Sequence, residues 1–180
     1  MKNLILLNFL LFYFYNFAQN EHKVFYSNGN LQFIGQYDKN EKRTGEWKWY
    51  YEDGQLEASG SYENDKKTKE WNTYRKGKLN SKSNYKNGEL NGEYISYYEN
   101  GQIELIENYE NGWSNGISIR YYANGNLFEI GSLKNGSRID EWKYYNENKK
   151  VVMKLKFENG EVKELKYYDK QGKLMKTETY

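Results

Sequence analysis

A turn residue recurs along this chain every 23 to 25 positions, and this repeat restricts what the chain can fold into. Six of the seven turn residues are glycines: Gly29, Gly54, Gly77, Gly101, Gly125, Lys149 and Gly172. An aliphatic residue follows each turn residue by two positions: Leu31, Leu56, Leu79, Ile103, Leu127, Val151 and Leu174. Repeats of this length stack as small units that mainly contact their neighbours. Seven units fill residues 20–180 and leave no room for a second domain.

Each unit is predicted to be a β-hairpin, because Asn-Gly or Asp-Gly between alternating apolar residues is the strongest short-range hairpin signal. Within units these dipeptides are Asn28-Gly29, Asp53-Gly54, Asn100-Gly101 and Asn124-Gly125. Between units they are Asn87-Gly88, Asn111-Gly112, Asn135-Gly136 and Asn159-Gly160. Both sets are expected to form type I′ turns, with positive φ at both central residues. The sequence therefore predicts an all-β fold, an elongated and twisted antiparallel meander of about 14 strands with two strands per repeat.

The turn at Asp53-Gly54 determines which residues share a face of the sheet. A two-residue turn there predicts the pairs Tyr51–Leu56, Trp49–Ala58 and Trp47–Gly60. It separates the tryptophans from charged residues such as Lys48, and it leaves Tyr50 and its equivalents on the polar face. A three-residue turn with a glycine bulge would instead place Tyr50 beside Leu56. The clean separation of the two faces favours the two-residue turn, and the sequence leaves the alternative open.

The first 18 residues are predicted to be a secretory signal peptide, with a buried helix or an uncleaved anchor as the alternatives. Lys2 supplies a positive charge, Leu4–Phe17 is mostly apolar, and Ala18 is a small residue suited to a cleavage site. The apolar stretch is shorter than the roughly 20 residues that span a bilayer. Residues 19–180 form the predicted repeat domain, with units starting near residues 20, 45, 69, 92, 116, 140 and 163. The mature chain is expected to be extracytoplasmic: periplasmic, on the cell surface or secreted.

The repeat resembles the bacterial MORN-repeat variant family in two segments above all. Gly45–Leu56 and Gly92–Ile103 are similar to the phrase G-x-W-x-x-Y-Y-x-N-G-x-L, which in that family is followed by Y-x-N-G-x-x-x-G. The resemblance covers residues 20–180 and implies a non-catalytic array of hairpins that serves as a scaffold or binding surface. Many bacterial members carry a label as antitoxins of a toxin–antitoxin pair. The last two units depart from the phrase at Lys149 and at Lys163-Glu164, as expected for a capping end.

The composition excludes several classes of site. The chain has 27 Lys and Arg against 25 Asp and Glu, so it lacks the clustered basic face that nucleic acid requires. It has no cysteine and one histidine, which excludes thiolate metal sites, cysteine nucleophiles and paired imidazoles. His22 occupies the column of Trp47 and Trp71 and is interpreted as a filler of that column. We therefore expect no enzyme, no catalytic residue, no metal and no cofactor, and at most a peripheral contact with a membrane.

The aromatic residues just before the turns form a row that we call the tyrosine ladder. Its members are Phe25, Tyr50, Tyr74, Tyr97, Tyr121, Tyr145 and Tyr168. Such rings give a large contact area at low entropy cost, although cross-strand packing alone would also explain them. The predicted binding residues are Trp47, Trp49, Tyr50, Tyr74, Tyr97, Tyr121, Tyr145 and Tyr168. The predicted function is a non-catalytic exported surface for binding another protein or for scaffolding. The alternatives are a cell-surface polysaccharide-binding module and an antitoxin or immunity-type protein that binds a toxin.

Overall fold

The structure is a computed structural model that describes residues 21–158 and 160–180. These residues form one antiparallel sheet of 15 strands, and none of their segments is a helix long and apolar enough to cross a membrane. The predicted all-β meander is therefore confirmed. The predicted signal peptide, Met1–Ala18, lies outside the described residues.

Apart from one short strand, the strands follow one another across the sheet in chain order, and each pairs with the next. Their bounds are β1 Glu21–Phe25, β2 Leu31–Tyr37, β3 Arg43–Tyr50, β4 Leu56–Glu63, β5 Lys66–Arg75, β6 Lys78–Lys86, β7 Glu89–Tyr97, β8 Ile103–Glu110, β9 Trp113–Ser114, β10 Gly116–Tyr121, β11 Leu127–Lys134, β12 Ser137–Tyr145, β13 Val151–Glu158, β14 Glu161–Tyr168 and β15 Leu174–Thr179. The strand beyond the expected 14 is β9, a two-residue piece that pairs only with β8, while β8 goes on to pair with β10.

The turns between units have the predicted type I′ conformation at three Asn-Gly pairs. Asn87, Asn111 and Asn135 all have φ between 49° and 54°, and the glycine after each also has positive φ. The flanking residues pair directly, as Lys86 does with Glu89. Asparagine tolerates this left-handed backbone better than most residues, which explains its use here.

The turns within units differ from the prediction, and the favoured two-residue turn at Asp53-Gly54 is wrong. Gly54 has φ +84°, whereas Asp53 is not among the residues with positive φ. The Asp53 carboxylate instead accepts a hydrogen bond from the backbone N–H of Gln55 at 2.9 Å, which holds Asp53 at the start of the turn. The result is the alternative three-residue turn with a bulge, which pairs Leu56 with Tyr50, so the predicted pair Tyr51–Leu56 is wrong.

The same conformation recurs at the other turns predicted as type I′ within units, because Asn28, Asn100 and Asn124 also lack a positive φ. Each side-chain oxygen accepts from the N–H two residues later. The third unit is the exception: Lys76 and Gly77 both have positive φ and Arg75 pairs with Lys78. This turn is one residue shorter.

The core lies on one face of the sheet, which we call the tryptophan face. It carries Trp47, Trp49, Trp71 and Trp142, and its buried cluster contains Trp47, Trp71 and Tyr62. The predicted pairs Trp47–Gly60 and Trp49–Ala58 are confirmed. Side chains alternate along a strand, so Lys48 lies on the opposite face, which we call the polar face.

Candidate binding surface

Each buried tryptophan lies over a glycine of the preceding strand. The carbons of the Trp47, Trp71 and Trp142 rings occupy the space where a Cβ on Gly35, Gly60 and Gly131 would stand. The three rings are 1–3% exposed, and each indole N–H donates to a backbone carbonyl at 3.0–3.1 Å. These tryptophans are therefore packed and hydrogen-bonded within the chain.

The chain also supplies cations to the rings of the tryptophan face. The Arg43 guanidinium carbon lies 4.1 Å from the Tyr62 ring centroid, and the Lys67 ammonium lies 4.2 Å from that of Trp71. The Arg138 guanidinium lies 3.9 Å from that of Trp142. Burial against these rings lowers the pKa of Lys67. Cation–π contacts of this kind occupy ring faces that a ligand would otherwise stack on.

In the middle of the tryptophan face, polar residues stand at the positions that hold the tryptophan–glycine pair in other units. Ser118 stands in the tryptophan column and Glu107 in the glycine column, and the serine hydroxyl donates to the carboxylate at 3.0 Å. Tyr109 donates to the other carboxylate oxygen, also at 3.0 Å. Burial first, and the charge of Glu107 second, raise the pKa of Tyr109 to about 12. The Glu107 side chain thus lies where the tryptophan ring lies in other units. Both of its carboxylate oxygens accept hydrogen bonds from within the chain.

Glu129 is a buried carboxylate on the same face. Arg120 and Arg138 contact its two oxygens at 3.1 and 3.2 Å, and both arginines are more than one third exposed. Burial, with the charge of Glu129, raises the pKa of Tyr144, which also accepts from Arg138. The group is a structural ion triad in which the two arginines neutralise the buried carboxylate, and the excess positive charge lies on the partly exposed guanidinium groups.

The tyrosine ladder lies at the bulges, on the polar face. Each ladder residue pairs directly with the aliphatic residue that follows its turn: Phe25–Leu31, Tyr50–Leu56, Tyr74–Leu79, Tyr97–Ile103, Tyr121–Leu127, Tyr145–Val151 and Tyr168–Leu174. Successive ladder rings belong to every second strand and so recur about every 10 Å. The ladder is a continuous apolar row across all seven units, and its tyrosines are half-buried.

A second tyrosine row that the sequence analysis missed ties the units together. Its members are Tyr26, Tyr51, Tyr98 and Tyr122, and each hydroxyl donates at 2.7–2.9 Å to the backbone carbonyl of the ladder residue one unit ahead. The Tyr-Tyr doublets at Tyr50-Tyr51, Tyr97-Tyr98 and Tyr121-Tyr122 are the signal that could have found it.

The predicted binding residues therefore fall on two faces. Trp47 and Trp49 are on the tryptophan face, where Trp47 is 2% exposed and has a packing role. The other six, Tyr50, Tyr74, Tyr97, Tyr121, Tyr145 and Tyr168, are together on the polar face. Their role in binding stays a prediction. Unlike Trp47, these six tyrosines keep part of their surface exposed to solvent. His22 packs against Phe33 and Tyr37, in keeping with its interpretation as a filler.

Comparison with known families gives one clear match. The sequence model of the MORN repeat variant matches four segments, residues 19–39, 43–64, 90–111 and 114–135. No curated protein matches the chain.

Solved structures resemble the chain only distantly. One is the crystal structure of a mutant of S. aureus TarM in complex with fondaparinux, alpha-GlcNAc-glycerol and UDP, at 11% identity and a TM-score of 0.32, covering 67% of this chain and 21% of that one. Another is the GtfA/B complex bound to UDP and GlcNAc, at 20% identity and a TM-score of 0.26, covering 63% and 22%. The chain spans about a fifth of the length of each, and such low scores carry no argument about what it binds.

Proposed function

The chain is built from repeats of the MORN repeat variant family, and we propose that it is a non-catalytic exported protein that binds or scaffolds another protein. The repeats themselves indicate a repeat protein with a binding role. Export, the absence of catalysis and a polypeptide partner are the parts that we propose.

The position of the tyrosine ladder carries this proposal. The rings of Trp47, Trp71 and Trp142 are buried over glycines and hydrogen-bonded through their N–H groups, and cations lie over the last two. The ladder lies on the opposite face, at the ends of the strands, with a ring in every unit. Tyrosine rings of this kind supply contact area to a polypeptide while losing little rotamer entropy.

The environment of the carboxylates on the tryptophan face supports a non-catalytic role. The Glu107 carboxylate is engaged by Ser118 and Tyr109, and the Glu129 carboxylate by two arginines. An acid–base or nucleophilic site needs a reactive group that converges with others on an open space. These carboxylates are instead saturated by neighbouring side chains.

Export rests on the sequence of Met1–Ala18, with its short positive start and apolar stretch. An exported chain meets partners at the cell envelope or outside the cell.

The experiment is a cross-linked pull-down of the tagged full-length chain from its own cells, read by mass spectrometry. We expect one stoichiometric protein partner, together with mature chain that lacks its first residues. Retention on wall or membrane debris without a protein partner would contradict the proposal and favour a polysaccharide or lipid ligand. Recovery only in the cytoplasm with Met1–Ala18 intact would contradict export, and capture of a toxin would favour the antitoxin alternative.

A further inference from the structure

A single row of directly paired residues crosses the whole polar face, next to the tyrosine ladder. We call it the lysine row. From β1 to β15 its members are Lys23, Ile34, Lys48, Ser59, Asn72, Lys82, Ile95, Ile106, Ile119, Ile130, Lys143, Lys154, Lys166 and Thr177. The row contains six lysines, an arrangement that suits a solvated face, and it contains no acidic residue.

Four isoleucines interrupt this row on four neighbouring strands. Ile95 pairs with Ile106, Ile106 with Ile119, and Ile119 with Ile130. Ile117 lies two residues before Ile119 on the same face, and it is 59% exposed. A run of apolar side chains on the face that elsewhere carries lysine is not needed for the core, which lies on the other face.

The ladder enlarges this run into a patch. We call it the isoleucine patch, and its residues are Ile95, Ile106, Ile117, Ile119, Ile130, Tyr97, Ile103, Tyr121 and Leu127. The four isoleucines of the row span three strand spacings, about 14 Å. Contiguous apolar surface of this kind on a solvent-exposed face marks an interaction site.

Lysines lie at both ends of the patch. Lys82 pairs with Ile95 at one end, and Lys143 pairs with Ile130 at the other. Five strand spacings separate the two lysines, about 24 Å. Each has one carboxylate near it on its own face, Glu70 at 3.9 Å and Glu141 at 3.4 Å, and the side chains remain about 40% exposed. Both lysine side chains therefore remain accessible to a partner.

A second copy of the chain does not suit the patch. If two copies packed patch to patch about a two-fold axis, the lysine row of one would lie on the lysine row of the other. Lys82 or Lys143 would then face a lysine across a partly desolvated contact, which is unfavourable. The charge pattern instead favours a partner with acidic groups at both ends of an apolar stripe.

The partner segment has to form its backbone hydrogen bonds within itself. The strands under the patch already pair with neighbours on both sides and offer it no free backbone groups. A helix forms its backbone hydrogen bonds internally, and an amphipathic helix presents an apolar stripe at positions i, i+3, i+4 and i+7. A span of 24 Å corresponds to about 16 helical residues.

We propose that the isoleucine patch docks an amphipathic helix of a partner protein, with an apolar stripe over the isoleucines and carboxylates at its two ends facing Lys82 and Lys143. This inference deepens the proposed protein-binding function and rests on it. It names the chemistry of the partner segment and the two units, the fourth and fifth, that hold it.

The test uses two synthetic helical peptides of about 16 residues with the same leucine stripe, one ending in glutamates and one in lysines. Binding to the purified chain is measured by fluorescence anisotropy at low salt. We expect the glutamate-ended peptide to bind and the lysine-ended one to bind at least tenfold more weakly, because attraction at both ends becomes repulsion. Added salt should narrow this difference.

Two variants locate the contact. The double variant Ile106→Thr with Ile119→Thr keeps β-branched residues in the strands, and it should lose at least tenfold in affinity. Its matched control is Ile34→Thr, which changes the same row outside the patch and should bind as the unchanged chain does. Lys82→Glu with Lys143→Glu should reverse the preference between the two peptides. Circular dichroism confirms that each variant is folded.

Equal binding of both peptides, or full binding by the Ile106→Thr and Ile119→Thr variant, would overturn the inference. Isoleucine-dependent capture by phosphatidylglycerol vesicles in place of peptide would overturn it in favour of a membrane. Isoleucine-dependent self-association in sedimentation would overturn it in favour of a second copy. If the peptides fail while the pull-down still recovers a stoichiometric protein, the inference falls and the proposed function stands.

Discussion

Adding one methyl group to Gly60 tests the packing of the tryptophan face most sharply. A Cβ at this position would lie well inside contact distance of three ring carbons of Trp71. The ring has little freedom to retreat, since it is 3% exposed and its N–H donates to the Ser61 carbonyl at 3.0 Å. Gly60 is outside the left-handed region, so the backbone itself accepts alanine.

The expected magnitude follows from two opposing terms. Overpacking of a filled site costs about 1–3 kcal/mol. Replacing glycine by alanine reduces the entropy of the unfolded chain and offsets about 0.4–1 kcal/mol of that. We therefore expect Gly60→Ala to lower the free energy of unfolding by about 1–2 kcal/mol, a fall in Tm of roughly 2–8 °C for a domain of this size.

The assay is urea unfolding followed by backbone circular dichroism, with a companion variant. Where the third unit meets the fourth, a serine, Ser83, pairs with a smaller ring, Tyr94. Gly60→Ala combined with Trp71→Tyr copies that arrangement. The double variant should therefore lose about 1 kcal/mol less free energy of unfolding than the two single variants lose together. If Gly60→Ala is as stable as the unchanged chain, or the two changes simply add, the tryptophan does not stack on the glycine and the reasoning is refuted.

Three further changes test other parts of the sheet. Tyr51→Phe removes the hydroxyl that ties one unit to the next, and we expect a loss of about 1 kcal/mol in urea unfolding. Lys149→Gly relieves a non-glycine residue at φ 61°, and we expect a gain of about 0.5–1 kcal/mol in the same assay. The pKa of Tyr109 is raised to about 12 from 10.0, so the stability it contributes is present below pH 10 and is lost as the pH rises through 12. Glu107→Gln should lower that pKa, because it removes a charge that opposes ionisation, and ultraviolet titration of the phenol would show it.

The repeat made the fold predictable, because seven aligned units repeat the same alternation and the same turn residues. The pairs Trp47–Gly60 and Trp49–Ala58 were predicted from a two-residue turn, and they hold because the register shift between Trp49 and Tyr50 offsets the longer turn. The type of the turn within units did not follow, because Asn-Gly and Asp-Gly fit both turns. The side chain of Asp53 decides between them by capping the N–H of Gln55, a local hydrogen bond that the hydrophobic pattern does not report.

The candidate surface was predictable only in part. The tyrosine ladder is visible as a column in the sequence, and alternation places it on the polar face. The isoleucine patch was not visible, because its row joins residues from neighbouring units whose alignment depends on bulges between them. The left-handed residues Gly92 and Gly116 shift the pairing at the start of these units. The cations over the rings were missed for the same reason, since Arg43 reaches Tyr62 across strands.

The central claim is that the chain binds its partner through the polar face while the tryptophan face packs internally. Photo-cross-linking in the cells of origin tests it directly, with a benzoylphenylalanine placed in turn at Tyr97 of the ladder and at Tyr37 or Tyr167 of the tryptophan face. The two control positions are 42% and 37% exposed, so access alone would not favour the ladder. The account predicts adducts with one protein from Tyr97 and none from Tyr37 or Tyr167. Adducts from the tryptophan face, with none from Tyr97, would contradict it.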